Sequence, residues 1–371
     1  MTDQRPTDSV EKASSTDEHS KVNRPDDSLP PVEPPTATFI LQLFLIPLAI
    51  VSMVVLVWLM FSWMAQMGRD NPDQLVSQLR KLDDPSWQRA YELAELLRSS
   101  DPAYAKLRKD EKLADELVSI LENDLKFSDP KEITDARIQR RVYLCRAIGS
   151  FELASVLPIL CKAATEPQKL VDGEDVEVRI AALEGLAMLA SNLQVSLSDA
   201  EKAKLLSTVI ACSESKSPST QETNPAGYIP QAEVRAVAAY TLGVIDGDEA
   251  TARLKKMLVD TYSNARYNAA TGLARRGDVA AIPVLKEMLD PENELSARDE
   301  SNPNDQDRKR VNVVLTGIQA TMTLHKVAPD ADISELVDRI DQLRNHEFKL
   351  IISSQPRIQS IATEAIQRLK P

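Results

Sequence analysis

Few side chains in this sequence are placed for chemistry. The three histidines, His19, His325 and His346, stand far apart, and none has a second histidine or a cysteine at metal-ligand spacing. Cys145, Cys161 and Cys212 are also well separated. Thiols spread in this way form no disulfide framework and are expected to be small buried hydrophobes. The sequence holds no nucleophile elbow, HExxH pair, CxxC pair or phosphate-cradling glycine loop. Glu174, Asp175 and Glu177 cluster beside an expected loop, where acids ordinarily make a solvated face. No catalytic, cofactor-binding or metal-binding residue is therefore assigned. No cofactor or small-molecule substrate is expected.

One regular arrangement of charge stands out. Arg141, Arg179, Arg235 and Arg266 are each followed, seven residues on, by Ile148, Leu186, Leu242 and Leu273. A glycine falls six or eight residues on, at Gly149, Gly185, Gly243 and Gly272. The four origins are 38, 56 and 31 residues apart. Pro158 and Pro283 each lie 17 residues after an origin. Such a ladder could bind an anion, or it could tie neighbouring repeats together. A stacking register favours the ties. An enzyme, or a regulatory subunit of one, would need a groove lined by Cys145 and these arginines, with the thiol exposed and its pKa depressed.

The elements that carry the ladder are helices. In residues 232–260, Val234, Val237, Ala238, Leu242 and Ile245 make one apolar face, and Ala250, Leu254, Met257 and Leu258 make a second. Gly247 stops the first helix and Asp248 can cap the next. Neither helix buries its face alone, so the pair needs neighbours of its own kind. Further helices are expected at 72–82, 86–98, 103–125, 136–148, 154–164, 176–190, 199–212, 264–275, 279–289, 307–325, 332–343 and 356–369. No convincing strand is expected, although 349–353 could be extended.

The segments DVEVRIAALEGLAML, AEVRAVAAYTLGVIDGDEA and NARYNAATGLARRGDVAAIPVLKEMLD resemble HEAT repeats, in the short form first noted in phycobilin lyases. The resemblance is good over 135–290 and weaker over 72–125 and 307–371. It implies an all-α, HEAT-type α-solenoid of about six to seven helix pairs over 69–371. In that family the Ala, Leu, Gly and Arg positions are structural, so no catalytic residue carries over. The repeat is shared by many proteins that only bind partners, and a protein partner is the expectation here.

Composition agrees. The chain is 43% apolar, 27% charged and only 4% aromatic, which suits stacked Ala- and Leu-faced helices. Its net charge of −12 argues against nucleic acid, whose binding rests on cationic contacts to phosphates. Residues 1–37 hold eight acids, four bases and the PPVEPP segment; such a tail cannot bury enough apolar surface to fold. Residues 36–68 carry no charge. The 26 residues from Phe39 to Met64 would make a helix of about 39 Å, against about 30 Å of bilayer hydrocarbon. Trp63 falls at the interface end. A transmembrane helix over 38–67, forming a single-pass anchor in the cell (inner) membrane, is the expectation. Lys21 and Arg24 flank it on one side, and Arg69, Arg80 and Lys81 on the other. That balance and the three thiols place the solenoid in the cytoplasm.

The links between helices alternate in length. Those after an arginine helix are short, at 149–153, 246–249 and 276–278. Those before the next one are often long, at 126–135, 165–175, 213–231 and 290–306. Alternate turns of a helix-pair stack emerge on opposite edges, so the long links are predicted to share one edge. They are either idle insertions or an acidic edge that docks a basic partner.

Overall fold

The computed structural model describes residues 36–67, 86–99, 101–127, 129–170, 173–193, 196–216, 230–345 and 355–369. The expected tail before residue 36, helix 72–82 and most of loop 213–231 lie outside these residues. So do segment 349–353, His19, His346 and the side chains of Trp63, Glu174 and Asp175. The chain divides into two units, Met1–Arg69 and Asp70–Pro371.

The first unit holds α1 (Ala37–Met67), a 31-residue helix with Pro47 inside it. Its window Leu43–Ser62 has a mean hydropathy of 2.8 and none of it is buried. This helix is long and apolar enough to cross a membrane.

The second unit is an α-solenoid. Its helices are α2 (Ser86–Arg98), α3 (Glu111–Leu125), α4 (Asp135–Gly149), α5 (Leu157–Thr165), α6 (Glu177–Leu193), α7 (Asp199–Ser213) and α8 (Pro230–Val244). They continue as α9 (Asp248–Met257), α10 (Ser263–Arg275), α11 (Ile282–Met288), α12 (Pro303–Val327), α13 (Ser334–Leu343) and α14 (Gln355–Leu369). The even-numbered helices pack on one another in sequence order and form one layer. The odd-numbered helices pack against them and form a second, looser layer. One continuous core runs from Ala90 to Leu369. The residues seven beyond each ladder arginine, Ile148, Leu186, Leu242 and Leu273, are all fully buried in it.

Local chemistry sets the helix ends. Asp110 accepts from the Leu113 amide and starts α3. Thr134 accepts from the Arg137 amide and starts α4. Ser198 and Glu201 form a reciprocal capping box on α7. Pro158 and Pro283 sit in the first turns of α5 and α11, where an amide proton has no partner to lose. The shared spacing of 17 residues is thus a helix-start signal.

Four expectations are corrected. Residues 103–125 do not form one helix: two 3-10 turns, Pro102–Tyr104 and Leu107–Lys109, precede α3, because the Asp110 side chain caps the helix there. Residues 165–175 are not strandless: Gln168–Leu170 (β1) pairs antiparallel with Gly173–Asp175 (β2). Link 290–306 is shorter than expected, since α12 begins at Pro303 rather than 307, and it contains the 3-10 turn Glu294–Ala297. Asp248 does not cap α9; that position is Gly247, whose φ of 120° suits glycine.

The glycines explain the closeness of the even layer. A Cβ on Gly149 would lie 2.3 Å from the Cα of Gly185, and one on Gly272 would lie 2.9 Å from the Cα of Gly243. The glycine eight residues past one arginine faces the glycine six residues past the next. Between these tight pairs, α6 and α8 meet differently: the Thr241 hydroxyl donates to the Leu183 carbonyl at 3.1 Å. Adding a methyl group at a closed helix crossing forces backbone shifts. Gly149→Ala is expected to cost about 1–3 kcal/mol. Gly243→Ala, whose Cβ would meet the Gly272 Cα at 3.1 Å, should cost less. Thermal and denaturant unfolding of the two variants, measured side by side, checks the order.

Candidate functional site

The arginine ladder forms a polar seam, buried at Arg141 and Arg179 and partly buried at Arg235 and Arg266. The C-terminal carbonyls of a helix lack intrahelical partners, and here arginines from the next element supply donors. Arg141 is fully buried. Its guanidinium donates to the Asp124 carbonyl at 2.5 Å and the Phe127 carbonyl at 3.1 Å, at the end of α3. Arg179 donates to the Ala164 carbonyl at the end of α5, at 2.9 Å. It also donates to the Gln231 side chain at 3.0 Å and the Ser215 hydroxyl at 2.9 Å. Arg235 donates to the Ser215 carbonyl beyond α7 and grips both Asp260 oxygens, at 2.9 and 3.0 Å. Arg266 donates to the Asp260 carbonyl at 2.8 Å and grips Glu287 on α11. The Tyr267 hydroxyl donates to Glu287, and the Asn293 amide donates to that hydroxyl.

The seam therefore runs without a gap from Gln231 through Arg179, Ser215, Arg235, Asp260, Arg266 and Glu287 to Asn293. It follows the edge where odd helices end and even helices begin, so the described ends of links 165–175, 213–231 and 290–306 share that edge. One rung earlier, outside that chain of bonds, Asp124 is almost fully buried among three arginines. Arg140 reaches it at 2.6 Å, Arg141 at 3.5 Å and Arg137 at 3.6 Å. Burial pulls the Arg141 guanidinium below its usual value, against the pull of the Asp124 charge.

Three further arginines do the same work outside the expected register. Arg276 donates to the Leu242 and Ile245 carbonyls at the end of α8. Arg253 donates to the Ser213 carbonyl and hydroxyl at the end of α7. Arg108 donates to the Ser99 carbonyl beyond α2. The signal was local: Arg275-Arg276-Gly277 places basic residues at a helix end before a glycine, an arrangement that serves carbonyl capping.

Link 290–306 is bonded into the stack. Ser296 and Ala297 are buried. Asp299 pairs with Lys309, and the Tyr262 hydroxyl, with one proton to give, sits between Asp299, at 2.6 Å, and Glu233. Burial pushes the Glu233 carboxyl up, against the hydrogen bond from Tyr262. This link is therefore held against the stack at several points. Its exposed residues include Leu295, 54% exposed, Asp290 and Glu294.

The groove imagined for an enzyme is not built. Cys145 is fully buried, and burial pushes its thiol up to about 12. Cys161 and Cys212 are buried as well, and both thiols are raised by the same cause. The described Glu177 accepts from Gln139 on the neighbouring helix. His325 lies near the end of α12, and no metal-holding group of His, Cys, Asp and Glu occurs among the described residues. A thiolate is the reactive form of cysteine. A thiol reagent added to the folded chain should leave Cys145 unmodified, with full labelling only in denaturant; fast labelling under native conditions would revive a nucleophile.

The seam predicts a pH dependence. Burial raises the Asp260 carboxyl, but hydrogen bonds from Arg235 and the Tyr262 amide, with the Arg235 charge, outweigh it and hold the group below the usual carboxylate range. A folded-state pKa below the unfolded one gives stability that is complete above about pH 4 and is lost as pH falls through the lowered value. Asp260→Asn should therefore cost about 1.5–3 kcal/mol near neutral pH. The gap to the wild type should close as the pH drops below about 4. Melting temperatures across that range measure it.

A family model described as HEAT repeats matches residues 229–301, which hold Arg235 and Arg266. The comparison with curated proteins finds no match. Among solved structures, the chain is 17% identical to an engineered protein, over 81% of this chain and 97% of that one, with a TM-score of 0.30. It is 14% identical to a designed armadillo repeat protein, over 76% and 100%, with a TM-score of 0.30. A further engineered protein is 17% identical over 80% and 78%, with a TM-score of 0.31. Residues 229–301 are thus similar to HEAT repeats, and the order and packing of the helices around them make an all-α solenoid.

Proposed function

We propose that this chain is a membrane-anchored interaction scaffold. Residues 38–67 hold it in the cell (inner) membrane in a single pass, with the tail 1–37 on one side and the solenoid 69–371 in the cytoplasm. The exposed apolar surface of α1 supports the anchor, because a soluble helix of that composition would be left uncovered in water. The solenoid docks a protein partner on its loop-bearing edge, and no nucleic acid takes part.

One observation carries the docking: link 290–306 holds a fixed, acidic surface with an apolar centre. Leu295, Asp290 and Glu294 are all exposed on this link. The bonds from Tyr262, Tyr267 and Lys309 hold the link from beneath. A pre-ordered surface loses less freedom on binding. An apolar anchor inside a charged rim fits a partner with a pocket and basic surroundings. The anchor confines both molecules to one membrane.

The triple variant Asp290→Asn, Glu294→Gln, Leu295→Ala tests this, because Leu295 and Glu294 are exposed and their loss leaves the core intact. A membrane-permeant crosslinker applied to cells should capture the partner with the wild type and lose it with the variant, at unchanged melting temperature. An impermeant reagent of the same chemistry, added to intact cells, should capture nothing if the solenoid is cytoplasmic. Equal capture by variant and wild type would end the edge reading, and capture by the impermeant reagent would reverse the topology.

A further inference from the structure

A second surface differs in charge from the acidic edge. A groove of about 390 Å³ opens on the even layer between α10, α12 and α14. Arg275 of α10 and Arg357 of α14 line it, together with Asn312, Thr316, Gln319 and Thr323 of α12. No carboxylate lines it, in a chain with 56 acids and 44 bases. Both arginines are exposed, and among the described residues neither has a hydrogen-bond or ion-pair partner. The contrast with Arg276 is direct, since that neighbour is fully engaged by the Leu242 and Ile245 carbonyls.

The polar side chains of α12 repeat at intervals of four, three and four residues, which puts them on one helix face. From Asn312 to Thr323 that stripe is about 17 Å long, the span of about five residues of extended peptide. Asn312, Thr316 and Gln319 offer both donors and acceptors to a peptide main chain. The Thr323 hydroxyl donates to the Gln319 carbonyl of its own helix, which leaves its oxygen free to accept. A guanidinium presents a planar fork that matches a carboxylate. Arginines on the two flanking helices set two such forks beside one polar track.

We propose that this groove binds an extended acidic peptide segment of a partner protein. Two of its carboxylates seat on Arg275 and Arg357, and its main chain lies along Asn312, Thr316, Gln319 and Thr323. The assignment rests on the interaction-scaffold reading, but it needs neither the loop edge nor the topology.

The test uses the full chain in nanodiscs of zwitterionic lipid. The probe is an array of hexapeptides with Asp or Glu at two positions, each paired with its Asn or Gln counterpart. A subset of acidic peptides should bind, and their amide counterparts should not. Arg275→Gln and Arg357→Gln should each weaken that binding about tenfold or more, and the double variant should abolish it. Melting temperature should not change, because neither side chain holds the fold. Arg276→Gln is the contrast: it should lower the melting temperature. Binding that is equal for acidic and amide peptides, or unchanged in the double variant, would overturn the assignment. If no peptide binds while the wild type still crosslinks a membrane partner, the groove is wrong and the scaffold stands. If crosslinking is lost as well, the scaffold reading falls with it.

Discussion

The structure depends on arginines that cap the C-terminal ends of other helices. A stack of antiparallel helices brings many helix ends together along its edges. Each C-terminal end has up to four carbonyls without a partner, and the helix dipole makes it negative. Water cannot reach those that are buried. Arg141, Arg179, Arg235 and Arg266 meet this need at the ends of four successive odd helices. Burying a guanidinium is itself costly. The cost is offset because one flat group can satisfy several acceptors at once. Arg179 shows the extreme form, with a carbonyl, an amide oxygen and a hydroxyl as its described partners. Removing such a side chain would leave the acceptors it bridges without a donor, so the seam joins neighbouring repeats.

The glycines and the seam solve one problem from two sides. Close approach of even helices maximises dispersion contacts, and it requires small residues where backbones cross. The pairs Gly149–Gly185 and Gly243–Gly272 allow that approach. Side-chain bonds then fix the register between the same helices: Arg146 to Glu184 at 3.1 Å, Gln139 to Glu177 at 2.9 Å, and Asn268 to the Ala236 carbonyl at 2.8 Å. Packing without these bonds would permit sliding along the layer.

Most helices were legible in the sequence because their apolar faces repeat at helical spacing. The expected 86–98 and 264–275 differ from the observed α2 and α10 by at most one residue. The break before α3 was hidden because Leu107 and Leu113 keep an apolar pattern across it, while the deciding event is a single hydrogen bond to Asp110. The arginine register was visible, but its partners were not. Asp124 lies 17 residues before Arg141, and Gln231 lies 52 residues after Arg179. Separations of that kind are set by how repeats stack. The two glycine offsets were visible as an irregularity; only the facing of one offset against the other gives them meaning. Arg253 and Arg276 were missed because the register allowed one arginine per unit. The groove between α10, α12 and α14 draws on three separate helices, so no local pattern marks it.

The seam also shapes the charge that the outside presents. Arg140, Arg141, Arg179 and Arg310 are buried, and Asp124 is the buried acid among the described residues. Among the described residues, four positive groups against one negative leave three positive charges inside, so the remainder of the whole chain, tail included, carries −15 where the whole carries −12. The imbalance is possible because carbonyl dipoles, which carry no net charge, hold much of the buried arginine. A stack that caps its helix ends in this way exports acidity to its surface. That surface attracts basic partners over a range of about a Debye length, some 8–10 Å at physiological salt. It also repels other acidic proteins, which makes a local site of opposite sign selective. Arg275 and Arg357 stand in such a site, and Arg275 is left available because Arg276, one residue away, has taken the structural task.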